Sequence, residues 1–156
     1  VEAVALVREN AVKVEVLVAG AGMLESEIQR RAKDFSVPLH LLGFCNQTEM
    51  PTAYAAADVL VLPSNGHETW GLVVNEALAA GTPVLISDAV GCAPDVAELL
   101  GSTAVFRLGD IGDLAEKLRT AFLAPPARAV IECAAQKFDL EMVADQIVAS
   151  VAAVWP

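Results

Sequence analysis

Residues 57–88 read Ala57-Asp58-Val59-Leu60-Val61-Leu62-Pro63-Ser64-Asn65-Gly66-His67-Glu68-Thr69-Trp70-Gly71-Leu72-Val73-Val74-Asn75-Glu76-Ala77-Leu78-Ala79-Ala80-Gly81-Thr82-Pro83-Val84-Leu85-Ile86-Ser87-Asp88. The short apolar run before Pro63 has the form of a buried strand in a parallel sheet. A polar, Gly-containing loop follows. A helix is expected next, with Gly71 at its start and Gly81 just past its end. Residues 84–86 supply a second buried strand. In open α/β sheets the ligand sits outside the carboxyl ends of the strands, so residues 64–71 lie on a binding rim.

Two acids mark this rim, Glu68 in the loop and Glu76 on the helix, with seven residues between them. Side chains on a helix lean toward its N-terminus, which brings Glu76 back toward the loop. The free N–H groups of a helix N-terminus favour phosphate. An ionised carboxylate only accepts hydrogen bonds, so it suits the vicinal hydroxyls of a ribose or a hexose. The pattern implies a diphosphate held by backbone donors with a polyol on either side. The plainer reading is two solvated acids.

The run Glu68-Thr69-Trp70-Gly71-Leu72-Val73-Val74-Asn75-Glu76-Ala77 resembles the Glu-x7-Glu motif of retaining glycosyltransferases of family 4, which have the GT-B fold. The resemblance extends through Pro63-Ser64 and Gly81-Thr82-Pro83-Val84, with weaker matches along the chain. It implies transfer of a sugar from a nucleoside-diphosphate donor with retention of anomeric configuration. It assigns the donor sugar's hydroxyls and the catalytic role to Glu68, and the ribose to Glu76. The backbone of Trp70, Gly71 and Leu72 goes to sugar and diphosphate. Gly43 and Phe44 fall on the nucleobase loop, although Phe44 also suits a core position. Gly20, Gly22 and Gly91 fall on rim loops. Two departures stand out. Ala21 occupies the place of an acid between the two glycines. Gly91-Cys92-Ala93-Pro94-Asp95 replaces the family's usual Gly-Gly-x-Pro-Glu. The family's diphosphate-binding Arg and Lys map before Val1.

The 156 residues suit one domain with a real core. Hydrophobic residues make up 55%, and mean hydropathy is +0.52. No uncharged apolar run approaches the length of a membrane span; residues 77–87 and 146–156 are too short. The net charge of −10 argues against nucleic acid and anionic membranes as partners. It also sets a difficulty, because the implied ligand is itself anionic. Cys45, Cys92 and Cys133 are far apart with no Cys-x-x-Cys, so reduced thiols in a cytoplasmic protein are expected. No metal site has ligand spacing, and the resemblance implies neither metal nor cofactor. The expected partners are the nucleotide-sugar donor and an absent N-terminal acceptor domain, which carries any peripheral membrane attachment.

The remaining elements follow from periodicity. Val4, Val7 and Ala11 share a helical face. Residues 13–19 alternate as a strand and end at Gly20-Ala21-Gly22. Leu24, Ile28, Ala32 and Phe35 line the next helix. Strand, Gly-x-Gly and helix invite a dinucleotide site, but Glu25 occupies the place of that fingerprint's third small residue. Residues 39–42 form a strand. Residues 48–57 form a helix capped by Thr48, with Tyr54 packed. Residues 58–62, 84–86 and 103–106 complete the strands. Helices follow from Asp113, over residues 127–137, and finally along Val143, Ile147, Val151 and Val154; the family resemblance implies that this last helix crosses back toward the N-terminal domain, with Trp155 facing that absent partner.

The expected architecture is α/β: a Rossmann-like parallel sheet of about five strands with helices on both faces, the C-terminal half of a GT-B fold without its first strand. Residues 13–19 are expected to close the gap by pairing directly with residues 58–62. The competing arrangement is an open slot that only an absent segment fills. The function expected is the donor-binding part of a glycosyltransferase, inactive alone. The alternatives are a non-catalytic sugar- or nucleotide-binding module and a dinucleotide-dependent oxidoreductase.

Overall fold

A computed structural model describes residues 1–9 and 12–139, together with Ala144 and Val148. Ala11, the terminal helix expected along Val143, Ile147, Val151 and Val154, and Trp155 lie outside the described residues. Five parallel strands alternate with seven helices among the described residues. These are α1 (Glu2–Arg8), β1 (Val16–Ala19), α2 (Glu25–Asp34), β2 (Leu39–Gly43), α3 (Met50–Ala55), β3 (Leu60–Leu62), α4 (Leu72–Ala79), β4 (Val84–Ser87), α5 (Ala93–Leu100), β5 (Val105–Phe106), α6 (Ile111–Leu123) and α7 (Arg128–Lys137).

Every residue of β4 is buried, because its two sides feed two apolar clusters. Val84 and Ile86 join Tyr54, Val74, Ala77, Leu78, Val96, Ile131 and Ala134, which come from α3, α4, α5 and α7. Leu85 faces the other way and joins Ala3 and Val7 of α1, Phe106 of β5, and Ala115 and Leu118 of α6. Alternation along a strand with both faces covered produces this double burial.

The sequence expectation of direct pairing between residues 13–19 and 58–62 is corrected here. The five strands form two sheets, β1-β2 and β3-β4-β5, and among the described residues no ladder joins β1 to β3. The layers give the reason. An ion pair between Arg31 and Glu2 ties α2 to α1, and α1 shares its cluster with α6. The crossover helix α2 therefore lies in the α1–α6 layer, whereas α4 and α5 lie on the opposite face. Crossovers between parallel strands are right-handed, so β1-to-β2 and β3-to-β4 advance in opposite directions. Strands β1 and β3 thus stand at facing edges of a topological switch point. A helix is about 10 Å across, twice a strand spacing. Burying α1 in one cluster with Val14, Val59 and Val61 keeps the two edges apart. The observed arrangement is the open one.

Several boundaries also move. Strand β1 begins at Val16, whose N–H donates to the Pro38 carbonyl at 2.9 Å. Residues 13–15 have no ladder partner because Pro38 precedes the first residue of β2. In the same way the Leu60 N–H finds the Pro83 carbonyl at 2.8 Å and starts β3 two residues late. Residues 102–104 form a 3-10 turn, which leaves only Val105 and Phe106 as strand. Asn46, rather than Thr48, caps the turn before α3. Its side-chain oxygen accepts from the N–H groups of Thr48 at 2.9 Å and Glu49 at 3.2 Å. The Glu49 carboxylate returns a bond to the Asn46 N–H at 2.9 Å. This reciprocal pair is a capping box. Along α2, Ala32 is buried as expected, but Leu24 and Phe35 are 69% and 47% exposed. They lie beside the small two-stranded sheet, which offers little surface to cover them.

Ile86 fills the centre of the larger cluster with no exposed surface. Truncation of such a side chain to Ala costs roughly 2–5 kcal/mol. Urea unfolding of Ile86→Ala is expected to show a loss in that range. Leu17→Ala, at a position 38% exposed, is expected to cost less than about 1 kcal/mol.

Candidate functional site

The loop over residues 63–71 leaves the carboxyl end of β3 and turns into α4 at Gly71. Gly71 has φ 102° and is the N-cap of α4. A Cβ there would lie 2.9 Å from the Val90 side chain, so both conformation and space require glycine. The neighbouring rim loop, after β4, presses on this turn from the side. A Cβ on Gly91 would stand 1.9 Å from the Thr69 carbonyl oxygen. The absence of that carbon lets the Gly91 N–H reach the Glu68 carbonyl at 3.3 Å and the Cys92 N–H reach the Trp70 carbonyl at 3.0 Å.

Glu68 is half-buried in this turn. Its carboxylate accepts from the Gly71 N–H at 3.1 Å. One of the backbone donors at the start of α4 is therefore occupied by the protein's own acid. Such an arrangement is favourable at the positive end of the helix dipole. The N–H of Leu72 belongs to the first turn, where α-helices have no internal partner for their donors. The Leu72 side chain is 66% exposed beside it.

Glu76 lies one turn further along α4. Its carboxylate accepts from the Tyr54 hydroxyl at 2.7 Å. Burial raises the phenol's pKa, and the bond to Glu76 and its negative charge push the same way. Tyr54 thus stays a neutral donor throughout the physiological range. The backbone of Tyr54 is anchored as well, since its carbonyl accepts from the Thr82 hydroxyl at 2.7 Å. A carboxylate has room for about four hydrogen bonds, and Tyr54 uses one of them.

A cavity of about 450 Å³ opens beside Glu76, lined by Cys45, Gln47, Met50, Pro51, Tyr54, Glu76, Ala79 and Ala80. The two acids of the Glu-x7-Glu run do not both line this cavity. Glu76 lines this cavity, and Glu68 lies outside it, turned into the N-terminus of α4. The physical reason is that unfilled N–H donors attract the nearest carboxylate.

Gly43 ends β2, and the Gly20 N–H donates to its carbonyl at 2.7 Å. This contact brings the two Gly-containing rim loops together. Gly20, Gly22 and Gly43 have open space where a Cβ would stand. Phe44 is 81% exposed, which rejects its placement in the core. The Trp70 indole N–H donates to the Asn75 side-chain oxygen at 3.3 Å. Its ring meets Phe138 edge-on, with centroids 5.9 Å apart.

Sequence reasoning missed Tyr54 as the partner of Glu76, and missed Cys45, Gln47 and Met50 as cavity walls. Their only sequence signal is position, on the loop and helix that follow a rim strand. The buried Cys92 thiol is pushed up to about 11, chiefly by burial, with the charges of Asp95 and Glu68 adding to it. It is no nucleophile. Among the described residues, no group of three His, Cys, Asp or Glu side chains is placed to hold a metal ion. Nor is any helix long and apolar enough to cross a membrane.

The family model of group 1 glycosyl transferases matches residues 1–138. The chain belongs to this family. It is 30% identical over 151 residues to a phosphatidyl-myo-inositol mannosyltransferase of Mycobacterium tuberculosis, a match that covers 86% of this chain and 37% of that protein. Its fold is similar to that of WaaG, a glycosyltransferase involved in lipopolysaccharide biosynthesis, with 29% identity, a TM-score of 0.72, and coverage of 89% of this chain and 38% of WaaG. It is also similar to Anabaena HepE in complex with UDP and glucose, at 20% identity and a TM-score of 0.72, covering 97% of this chain and 44% of that one. The chain spans between 19% and 37% of the length of its curated relatives. The fold is therefore Rossmann-like α/β with GT-B neighbours.

Thiol titration checks the site's packing. Cys133 is exposed and Cys45 partly so, whereas Cys92 is buried. Cys133 and Cys45 are expected to react with a soluble disulfide reagent under native conditions, and Cys92 only in denaturant. Rapid native reaction of Cys92 would contradict the contact between the two rim loops.

Proposed function

We propose that this chain binds the donor of a retaining glycosyltransferase, a nucleoside-diphosphate sugar, and presents it to an acceptor-binding domain supplied by another part of the enzyme. The observation that carries the reading is the placement of two carboxylates around the start of α4. Glu68 lies on its N-terminus, and Glu76 lies on a cavity walled by the β2–α3 loop.

In this reading the Glu76 carboxylate accepts from the ribose hydroxyls, and the Tyr54 hydroxyl fixes its rotamer. The base enters the cavity against Cys45, Met50 and Pro51, and the Gln47 carboxamide can pair with a base edge. Gly43 and Phe44 border it. The diphosphate takes the first-turn N–H groups of Gly71 and Leu72. Glu68 then leaves the Gly71 N–H and accepts from the sugar hydroxyls. The self-made bond between Glu68 and Gly71 supports this exchange, because it shows that an anionic oxygen fits there. Gly20, Gly22 and Gly91 keep the neighbouring rim low.

In the transfer step, the bond between the anomeric carbon and the diphosphate breaks, and its electron pair stays on the phosphate oxygen. The acceptor hydroxyl bonds that carbon on the same face, and its proton passes to the departing diphosphate oxygen. Charge builds on the leaving diphosphate. No Lys or Arg lines the cavity beside Glu76; in this reading transfer needs the acceptor-binding domain, and it requires no metal. The chain alone is then expected to bind without transferring. The family match, and a structural relative that holds UDP and glucose, support this reading.

Calorimetric titration with uridine, guanosine and adenosine diphosphates, and with their sugar conjugates, tests it. A hydrogen bond from a ligand to a carboxylate contributes about 1.5–3 kcal/mol, so Glu76→Ala is expected to weaken every bound nucleotide roughly ten- to hundredfold. Glu68→Ala is expected to weaken the sugar conjugate only. Equal losses for nucleotide and conjugate on Glu68→Ala would reverse the assignment. Absence of nucleotide binding by the intact enzyme would dismiss the donor reading.

A further inference from the structure

The loop that carries Glu68 is held on two sides. From the β4–α5 side, the close approach of Gly91 brings backbone donors onto the carbonyls of Glu68 and Trp70. The other side depends on one side chain, the Trp70 indole. It is 36% exposed, yet it is fixed at two points. Its N–H reaches Asn75 on α4 at 3.3 Å. Its ring meets Phe138 at an interplanar angle of 82°. Edge-to-face contacts of this kind are favourable beyond the area they bury.

Phe138 is the residue just past α7, at its C-cap. It is half-buried against the larger apolar cluster. That cluster also holds Ile131 and Ala134 of α7 with Val74, Ala77 and Leu78 of α4. The end of α7 is therefore rigidly referenced to the helix whose N-terminus the site uses. Trp70 directly precedes Gly71 and lies two residues after Glu68. The Cys92 N–H already holds the carbonyl of the Trp70–Gly71 peptide at 3.0 Å, and anchoring the indole adds a second restraint on the residue that carries it.

We propose that Phe138 is a positioning residue for the donor site. Its ring locks the Trp70 indole against α4 and thereby fixes the Glu68 carboxylate and the Gly71 N–H in the geometry that the donor's sugar and diphosphate require. Asn75 serves the same lock from the helix side. This inference rests on the donor reading above. Phe138 touches no donor atom itself and acts through Trp70.

The test uses the intact enzyme that contains this chain, with Phe138→Ala, Phe138→Leu and Phe138→Tyr. Misplacement of reacting groups by about 1 Å costs up to roughly a hundredfold in rate. Phe138→Ala and Phe138→Leu are each expected to raise the donor KM and lower kcat/KM for the donor roughly ten- to hundredfold, with the acceptor KM unchanged. Phe138→Tyr keeps the ring and is expected to restore both. The Trp70 indole N–H resonance, assigned by its loss in Trp70→Phe, is expected to shift in the Ala and Leu variants and not in the Tyr variant. If Phe138→Ala fails to fold, Phe138→Leu carries the same readings. Donor KM at the wild-type value in folded Phe138→Leu would overturn the proposal, as would an unmoved indole resonance. A wild-type enzyme that binds no nucleotide would dismiss the donor reading instead, and the indole resonance would still report on the contact.

Discussion

The central strand β4 has no face open to water, and the two halves of the core meet on it. Val84 and Ile86 serve one cluster and Leu85 serves the other. Four buried residues in a row fix the height of the strand between the layers. That height sets where its carboxyl end emerges. The next rim loop begins there, and its Gly91 comes down on the turn that carries Glu68. The Ser87 hydroxyl, fully buried, donates to the Ser64 carbonyl and joins the base of that loop to the strand. The geometry of the site is inherited from the burial of one strand.

The same dependence explains why the site is firm on one side and open on the other. Around β4 the packing is continuous from α7 through α4 to α6. Toward β1 and β2 the covering thins. The edges of β1 and β3 do not meet, and Leu17, Met23, Leu24, Leu42 and Phe44 are exposed on that side. Unpaired edges and uncovered apolar side chains are costly in isolation. The base loop and the Gly20–Gly43 contact belong to this thinner half, whereas Glu68, Gly71 and Glu76 belong to the firm one. The cavity beside Glu76 spans the junction.

Much of this is legible in residues 57–88, where Gly71 and Gly81 bound α4 as expected. Tyr54 was read as packed, which it is, but its bond to Glu76 spans 22 residues of sequence and leaves no periodic signal. The cap before α3 is ambiguous in the sequence because Thr48 and Asn46 both qualify as caps. Only the return bond from Glu49 decides between them. The gap between the sheets is not legible from strand spacing, because it depends on the width of α1. The self-occupation of the Gly71 N–H by Glu68 was not legible either. A motif states which groups are near, and it does not state which of them pair before a ligand arrives.

The central claim is that one ligand spans the start of α4 and the cavity beside Glu76. Backbone amide chemical-shift mapping with a nucleoside diphosphate tests it most directly. The account predicts that the Gly71, Leu72, Glu76 and Tyr54 amides move together with a single affinity, and that those of residues 30–34 on α2 stay in place. Shifts confined to α2 or α7, with Gly71 and Glu76 unmoved at saturation, would contradict it.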